Sequence, residues 1–195
     1  MKTKHNNQLT RQIGEHLVVS KLGRLGIFAT PFAGNVPDFD VLASDLSGHS
    51  LPIQVKTING GSWQFDAKKF LEIDPPVDPP GKGSEWQVVK GEKKLYNPDL
   101  VCIFILLKPD ERDEFYILPL SDLQKQCVKT YLKKSKGESF PQEVRRLKNR
   151  KSTHCAVTPD DMKKCNVKEG DWSLVTKHFE LVTGLGEQIA SANAD

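Results

Sequence analysis

The chain has 195 residues, 37% of them apolar and 27% charged, with twelve prolines and a formal net charge of +3. That is the composition of a globular protein with one sizeable core, one domain or one with an appended subdomain. The longest apolar run, Val101–Leu107, is too short for a transmembrane helix, and the polar stretch Met1–Arg11 lacks the apolar centre of a signal peptide, so a cytoplasmic protein with no membrane partner is expected.

Residues from about Leu9 to Leu25 have helical spacing without proline, and Gly26 stands where such a helix ends. Ile27–Phe32 reads as a strand, followed by a Gly-Asn loop at 34–35. Phe39–Ser44 is a second strand and Leu51–Thr57 a third. The short turn cluster Asp45–Ser50 between them predicts antiparallel pairing. Asn59-Gly60-Gly61 breaks the chain, and Trp63–Ile73 fits either a short strand or a helix. Glu72–Pro98 carries five prolines and three glycines and reads as an excursion loop or small hairpin. Asp99–Leu107 is a buried strand, and the charged turn 108–113 leads into another, Glu114–Leu118. Ser121 caps a helix to about Lys134. Thr158 caps a short helix, Pro159–Cys165, with proline at its first position. Asp171–Val175 reads as a late strand, and the tail after Gly184 as frayed.

Charge is unevenly spread. Residues 129–151 hold nine Lys and Arg against Glu138 and Glu143, a segment of +7 that leaves −4 elsewhere. Such a stripe suits a phosphate backbone, but taken alone it more often marks a solvated helix face with a polar loop. Cys102, Cys127, Cys155 and Cys165 form no CxxC pair and read as free thiols. A zinc site from His154, Cys155, Cys165 and His178 matches no standard ligand spacing.

Three short stretches carry chemistry in combination. Glu15 lies within about 80° of Val18, Leu22 and Leu25 around the first helix, at about 100° per residue, and so on the face that docks on the sheet. A lone carboxylate there needs a pairing group or a cation. Asp40 opens the second strand, with Asp38 two residues earlier on the same face if the strand extends that far. Gln54 and Lys56 share one face of the third strand, fourteen and sixteen residues after Asp40, with Ile53, Val55 and Thr57 on the other. Oxygen donors that hold Mg²⁺, beside a lysine that orients water or stabilises charge, are the parts phosphodiester hydrolysis needs. Each stretch alone is also an ordinary helix-edge, loop or strand polar. Pro159-Asp160-Asp161 opens a helix with no following D/E-x-K strand and is set aside.

Gly14-Glu15, Pro37-Asp38-Phe39-Asp40 and Gln54-Val55-Lys56-Thr57, in that order, resemble the core motifs of the PD-(D/E)XK nuclease superfamily. That group includes restriction endonucleases, archaeal Holliday-junction resolvases and some homing endonucleases, and the order is most similar to the resolvase-like and homing branches. The resemblance covers about residues 9–60, with topological support to about 135. It implies an α/β fold, a restriction-endonuclease-like αβββαβ core with a central mixed sheet flanked by helices. The core would span residues 1–135, with 72–98 as its excursion and 136–195 as a C-terminal extension packed on it, basic at its start.

Carried over by position, the resemblance makes Asp40 the central metal ligand, with Asp38 as second choice. Gln54 stands where the name-giving acid would be. The Val55 carbonyl is a further ligand, Lys56 the catalytic lysine, and Glu15 a ligand to a second metal or its water shell. The implied cofactor is Mg²⁺, with Mn²⁺ as a substitute. The implied activity is endonucleolytic cleavage of DNA, of restriction, homing or junction-resolving type. Lys68, Lys69 and Trp63, just after the third strand, and Lys133, Lys134, Arg145 and Arg146 of the basic segment are candidate DNA contacts. Cutting both strands calls for two active sites, hence a homodimer or higher oligomer. Gln54 departs from the pattern: an amide oxygen can ligate a hard cation but adds no charge, so metal affinity falls and Glu15 matters more. The alternative implied by that departure is a catalytically inactive nucleic-acid-binding protein of the same fold.

Overall fold

The computed structural model describes residues 4–32, 38–74, 85–109, 112–132, 144–148 and 153–180. Helix α1 (Lys4–Arg24) comes first. Val18 and Leu22, four apart, are fully buried against the sheet, while Leu9 and Ile13 on the outer side are exposed. At its end the Ile27 N–H donates to the Leu22 carbonyl at 3.0 Å, and Gly26 has φ +78°. This is the left-handed reversal that glycine adopts without a Cβ penalty. Leu25, assigned to the apolar face by helical counting, lies beyond the last helical residue and is exposed.

Strands β1 (Phe28–Pro31), β2 (Val41–Ser44) and β3 (Ser50–Ile58) form an antiparallel meander, in which the β2–β3 pairing is the one expected. Asp45 holds the β2–β3 turn, its carboxylate accepting the N–H groups of Ser47 and His49 at 2.9 Å each. The chain then leaves the sheet through β4 (Trp63–Asp66), a 3-10 turn (Ala67–Lys69), β5 (Leu71–Ile73) and β6 (Glu85–Glu92). The ambiguous stretch 63–73 is thus strand, turn and strand. The proline-rich excursion contributes a strand that pairs antiparallel with β5, while residues 75–84 of it lie outside the description.

β7 (Val101–Leu106) returns parallel to β3, and β8 (Glu114–Pro119) pairs antiparallel with β7. The result is a five-stranded mixed sheet in the order β1-β2-β3-β7-β8, flanked by helices, which is the fold class the sequence led us to expect. The crossover that a parallel neighbour requires runs here through β4, β5 and β6. Helix α2 (Leu120–Leu132) follows β8, with Ser121 in its first turn rather than before it. β9 (Val144–Lys148) joins β6, and β10 (His154–Val157) joins β4. Helix α3 (Pro159–Lys164) carries a full capping box between Thr158 and Asp161.

Residues 171–175, read as a strand, instead begin a helical stretch at 173–180. The Asp171 carboxylate accepts the Ser173 N–H at 3.0 Å, a capping bond that starts a helix rather than a strand.

The sheet buries an apolar cluster on each face. Val18 and Leu22 of α1 pack with Val41, Ile53, Val55, Ile103 and Ile105 on one side, joined by Val175 and Phe179. Trp63, Phe70, Phe104, Tyr116, Leu123 and Met162 form the other. β7 alternates between the two, which is why it reads as an unbroken apolar run. Among the described residues no helix is long and apolar enough to cross a membrane, and all four cysteines are free.

Candidate metal and phosphate site

The site forms where the start of β2, the middle of β3 and the second and third turns of α1 meet. Backbone bonds fix Asp40 there. Its N–H donates to the Ile53 carbonyl at 2.9 Å, and its carbonyl accepts from Phe32 at 3.0 Å. The carboxylate is buried, 8% exposed. Oδ2 accepts the backbone N–H of Val55 at 2.9 Å and Nε2 of Gln54 at 3.1 Å. Oδ1 accepts Nη2 of Arg11 at 2.8 Å. The same guanidinium donates through Nε to Oε1 of Glu15 at 2.7 Å. Glu15, 7% exposed, is on the sheet-docking side of α1, as its helical angle predicts.

Two buried carboxylates from distant parts of the chain therefore share one positive charge. Hydrogen bonding to Glu15, together with the nearby Asp40, raises the Arg11 pKa above its ordinary value, so the guanidinium keeps its charge. Arg11 went unnoticed in the sequence. Its signal was the four-residue interval to Glu15, which puts the two side chains one above the other on the helix.

Close helix–sheet approach is a property of Gly14. A Cβ there would sit 1.7 Å from Oγ1 of Thr57 on β3, so only glycine lets α1 lie near enough for Glu15 and Arg11 to reach Asp40. Thr57 Oγ1, beneath it, is buried and has no hydrogen-bond partner among the described residues.

Register places Gln54 and Lys56 opposite Cys102 and Phe104, on the face away from α1. The Lys56 amine lies 5.4 Å from the Phe65 ring centroid, and no ion pair to it occurs among the described residues. Burial, reinforced by the positive charge of Lys69, lowers its pKa from the usual lysine value, and Asp40 opposes that shift. Val55 touches the site through its backbone N–H, while its side chain is buried on the other face. An open cleft of about 520 Å³ exposes this group, with Thr10, Arg11, Asp40, Gln54, Lys56 and Asn59 on its walls.

Several candidates lie elsewhere. Asp38 does not share a face with Asp40. β2 begins only at Val41, and Asp38, at φ +73°, is exposed and lines a second cavity on the far side of Lys56. Trp63 is 1% exposed, packed edge-on to Phe104 with its indole N–H on the Lys56 carbonyl, and offers no face on which a base could stack. Lys68 and Lys69 are exposed on the 3-10 turn. Arg145 and Arg146 fall in β9, opposite Val88 and Gln87 of β6. Lys133 and Lys134 lie outside the described residues.

Among the described residues no three His, Cys, Asp or Glu side chains gather as a ready-made metal site. The donor set is instead two carboxylates around a cationic side chain, with an amide beside them. A divalent cation fits that set in charge, since a positive group already stands between the acids. Arg11 is half-exposed and has the cleft to move into. Gln54 turns its amide nitrogen to Asp40, so the amide must turn over before its oxygen can serve as a ligand.

Neither a family model nor a curated protein matches the chain. Among solved structures it is similar to that of a bacterial homing endonuclease, at 13% identity and a TM-score of 0.44, over 89% of this chain and 95% of that one.

Proposed function

We propose that this chain is a metal-dependent nuclease that hydrolyses DNA phosphodiester bonds at the cleft holding Asp40 and Lys56. The observation that carries the reading is the shared cation position. Glu15 and Asp40, buried and brought together from α1 and β2, face one positive charge at the wall of an open cleft. Burying two carboxylates costs several kcal/mol unless a cation compensates. Lys56 stands on the same face as Gln54, on the wall of the same cleft as Arg11 and Asp40, and without an ion pair among the described residues.

Asp40, Glu15 and Gln54 would hold Mg²⁺ or Mn²⁺, and the bound cation would supply charge neutralisation at the phosphate and a water of lowered pKa. Lys56 would hold the phosphate and stabilise its developing negative charge. Partial desolvation strengthens that interaction. The hydrogen bonds from Val55 and Gln54 orient the Asp40 carboxylate. Arg11, released from the acids, would be a second phosphate contact at the same wall. Lys69 and the basic segment that includes β9 would bind the strand beyond the reacting phosphate, and a homodimer would supply the second site for cutting both strands.

One observation favours a second reading, a nucleic-acid-binding protein of the same fold without catalysis: Arg11 already occupies the position between the two acids and offsets one of their two charges. The two readings separate in a cleavage assay. Plasmid and branched DNA are incubated with the purified protein in Mg²⁺, in Mn²⁺ and in chelator, beside Asp40→Ala and Lys56→Ala. Cleavage that needs metal and falls by at least about 100-fold in both variants is expected. Binding without cleavage, unchanged by either substitution, would select the second reading.

A further inference from the structure

A second cavity, about 450 Å³, opens on the other side of Lys56 and shares Lys56 and Gln54 with the catalytic cleft. Its walls are largely aromatic and aliphatic: Phe39, Phe65, Phe70 and Leu120 line it, with Tyr96 among its residues. That volume lies in the range of cavities that hold small ring ligands, about 300–1,000 Å³. Tyr96 is fully exposed and has no ring partner among the described residues. A large aromatic left in water beside an apolar cavity is a stacking surface without its stack.

Two polar groups on the lining supply direction. Asp38 is a carboxylate held at φ +73°, a left-handed conformation that few residues other than glycine adopt, aspartate among them. Lys69, on the 3-10 turn, is a donor. An acceptor and a donor beside an aromatic-lined cavity, adjoining a phosphate-binding lysine, match a nucleotide whose base has left its stack.

We propose that this cavity receives one unstacked nucleobase, guanine by preference, from the strand whose phosphate is held at Lys56. This rests on the nuclease reading and adds a base subsite to it. Guanine offers its N1–H and N2 amine side by side to the Asp38 carboxylate and its O6 to a donor such as Lys69, whereas thymine flanks its single N–H with two carbonyls that the carboxylate repels. The base would stack against Tyr96, the lining aromatic that no other ring covers among the described residues.

The test is fluorescence anisotropy of three labelled duplexes in chelator, identical except for one position: an unpaired guanine, an unpaired thymine or an abasic site. The unpaired guanine should bind at least about 10-fold more tightly than the abasic duplex, in line with stacking of one base on an aromatic side chain, and thymine less tightly than guanine. Tyr96→Ala should remove the gain over the abasic duplex, and Asp38→Ala should bring guanine level with thymine. Both residues are exposed, so neither substitution removes core packing. Equal binding of the three duplexes, or a gain that survives Tyr96→Ala, overturns the subsite. If the duplexes bind alike while metal-dependent cleavage is seen, the subsite alone fails. If no duplex binds and nothing is cleaved, the nuclease reading fails and the subsite with it.

Discussion

Lys56 pays a visible cost for its position. Its ammonium lies over the Phe65 ring, partly withdrawn from water and near the positive Lys69, and its pKa is lowered from 10.5 for those reasons in that order. Below the lowered value the group is charged in both the folded and unfolded states, so the full desolvation cost weighs on the fold. Between the lowered value and 10.5 the unfolded chain binds more protons, and stability rises with pH through that window. Lys56→Met keeps a flexible chain that packs well on an aromatic ring. It should raise the melting temperature near neutral pH by a few degrees, about the shift that ~1 kcal/mol produces at this chain length. The advantage should shrink as the pH approaches 10.5, and cleavage should be lost throughout. Thermal melts across that range check it, and a variant no more stable than wild type at neutral pH would show that the lysine is well solvated.

At the level of elements, the junction of α1 and β3 decides whether a site exists. A Cβ on Gly14 would collide with Thr57 Oγ1 at 1.7 Å and with its Cβ at 2.8 Å, both on a strand backed by β2 and β7. Gly14→Ala should therefore push the helix away and cost about 3 kcal/mol, the upper part of the usual range for overpacking. Adding Thr57→Ala, which removes the worst contact and an unpaired buried hydroxyl, should recover part of that loss in urea unfolding. Full stability in Gly14→Ala alone would contradict the close approach.

This junction also shows what was readable in the chain. Periodicity gave α1, the β2–β3 pair and the buried β7, because each has one dominant apolar pattern. The capping box at Thr158 gave α3. β9 and β10 were missed because each is too short for a period of two to stand out, and the late helix was read as a strand because Trp172-Ser173-Leu174 alternates over a span too short to separate the two periods. At the site, Asp40, Gln54, Lys56 and Glu15 could be picked out by residue type and spacing. The separation of Asp38 from Asp40 could not, since it follows from one left-handed φ, nor could the Arg11 bridge, which depends on a contact 29 residues away. Tyr96 and its cavity arise only when β3, the 3-10 turn and the loop before β7 come together.

For the whole molecule, the five-stranded sheet carries an apolar layer on each side, and the polar cluster of Arg11, Glu15 and Asp40 sits where helix and strands converge beside it. The guanidinium of Arg11 offsets part of the charge of Glu15 and Asp40, so a divalent cation bound there as we propose would compete with Arg11 for one position. The most direct measurement is a thermal-shift and calorimetric titration of the full chain with Mn²⁺, wild type beside Arg11→Met and Asp40→Asn. Arg11→Met should lose about 2 kcal/mol in chelator, as a buried charge cluster does when its partner is removed. It should regain that stability in Mn²⁺ and bind the ion about 10-fold more tightly than wild type, while Asp40→Asn should bind none. Equal Mn²⁺ binding by all three proteins, or none by wild type and Arg11→Met alike, would contradict a cation site between Glu15 and Asp40.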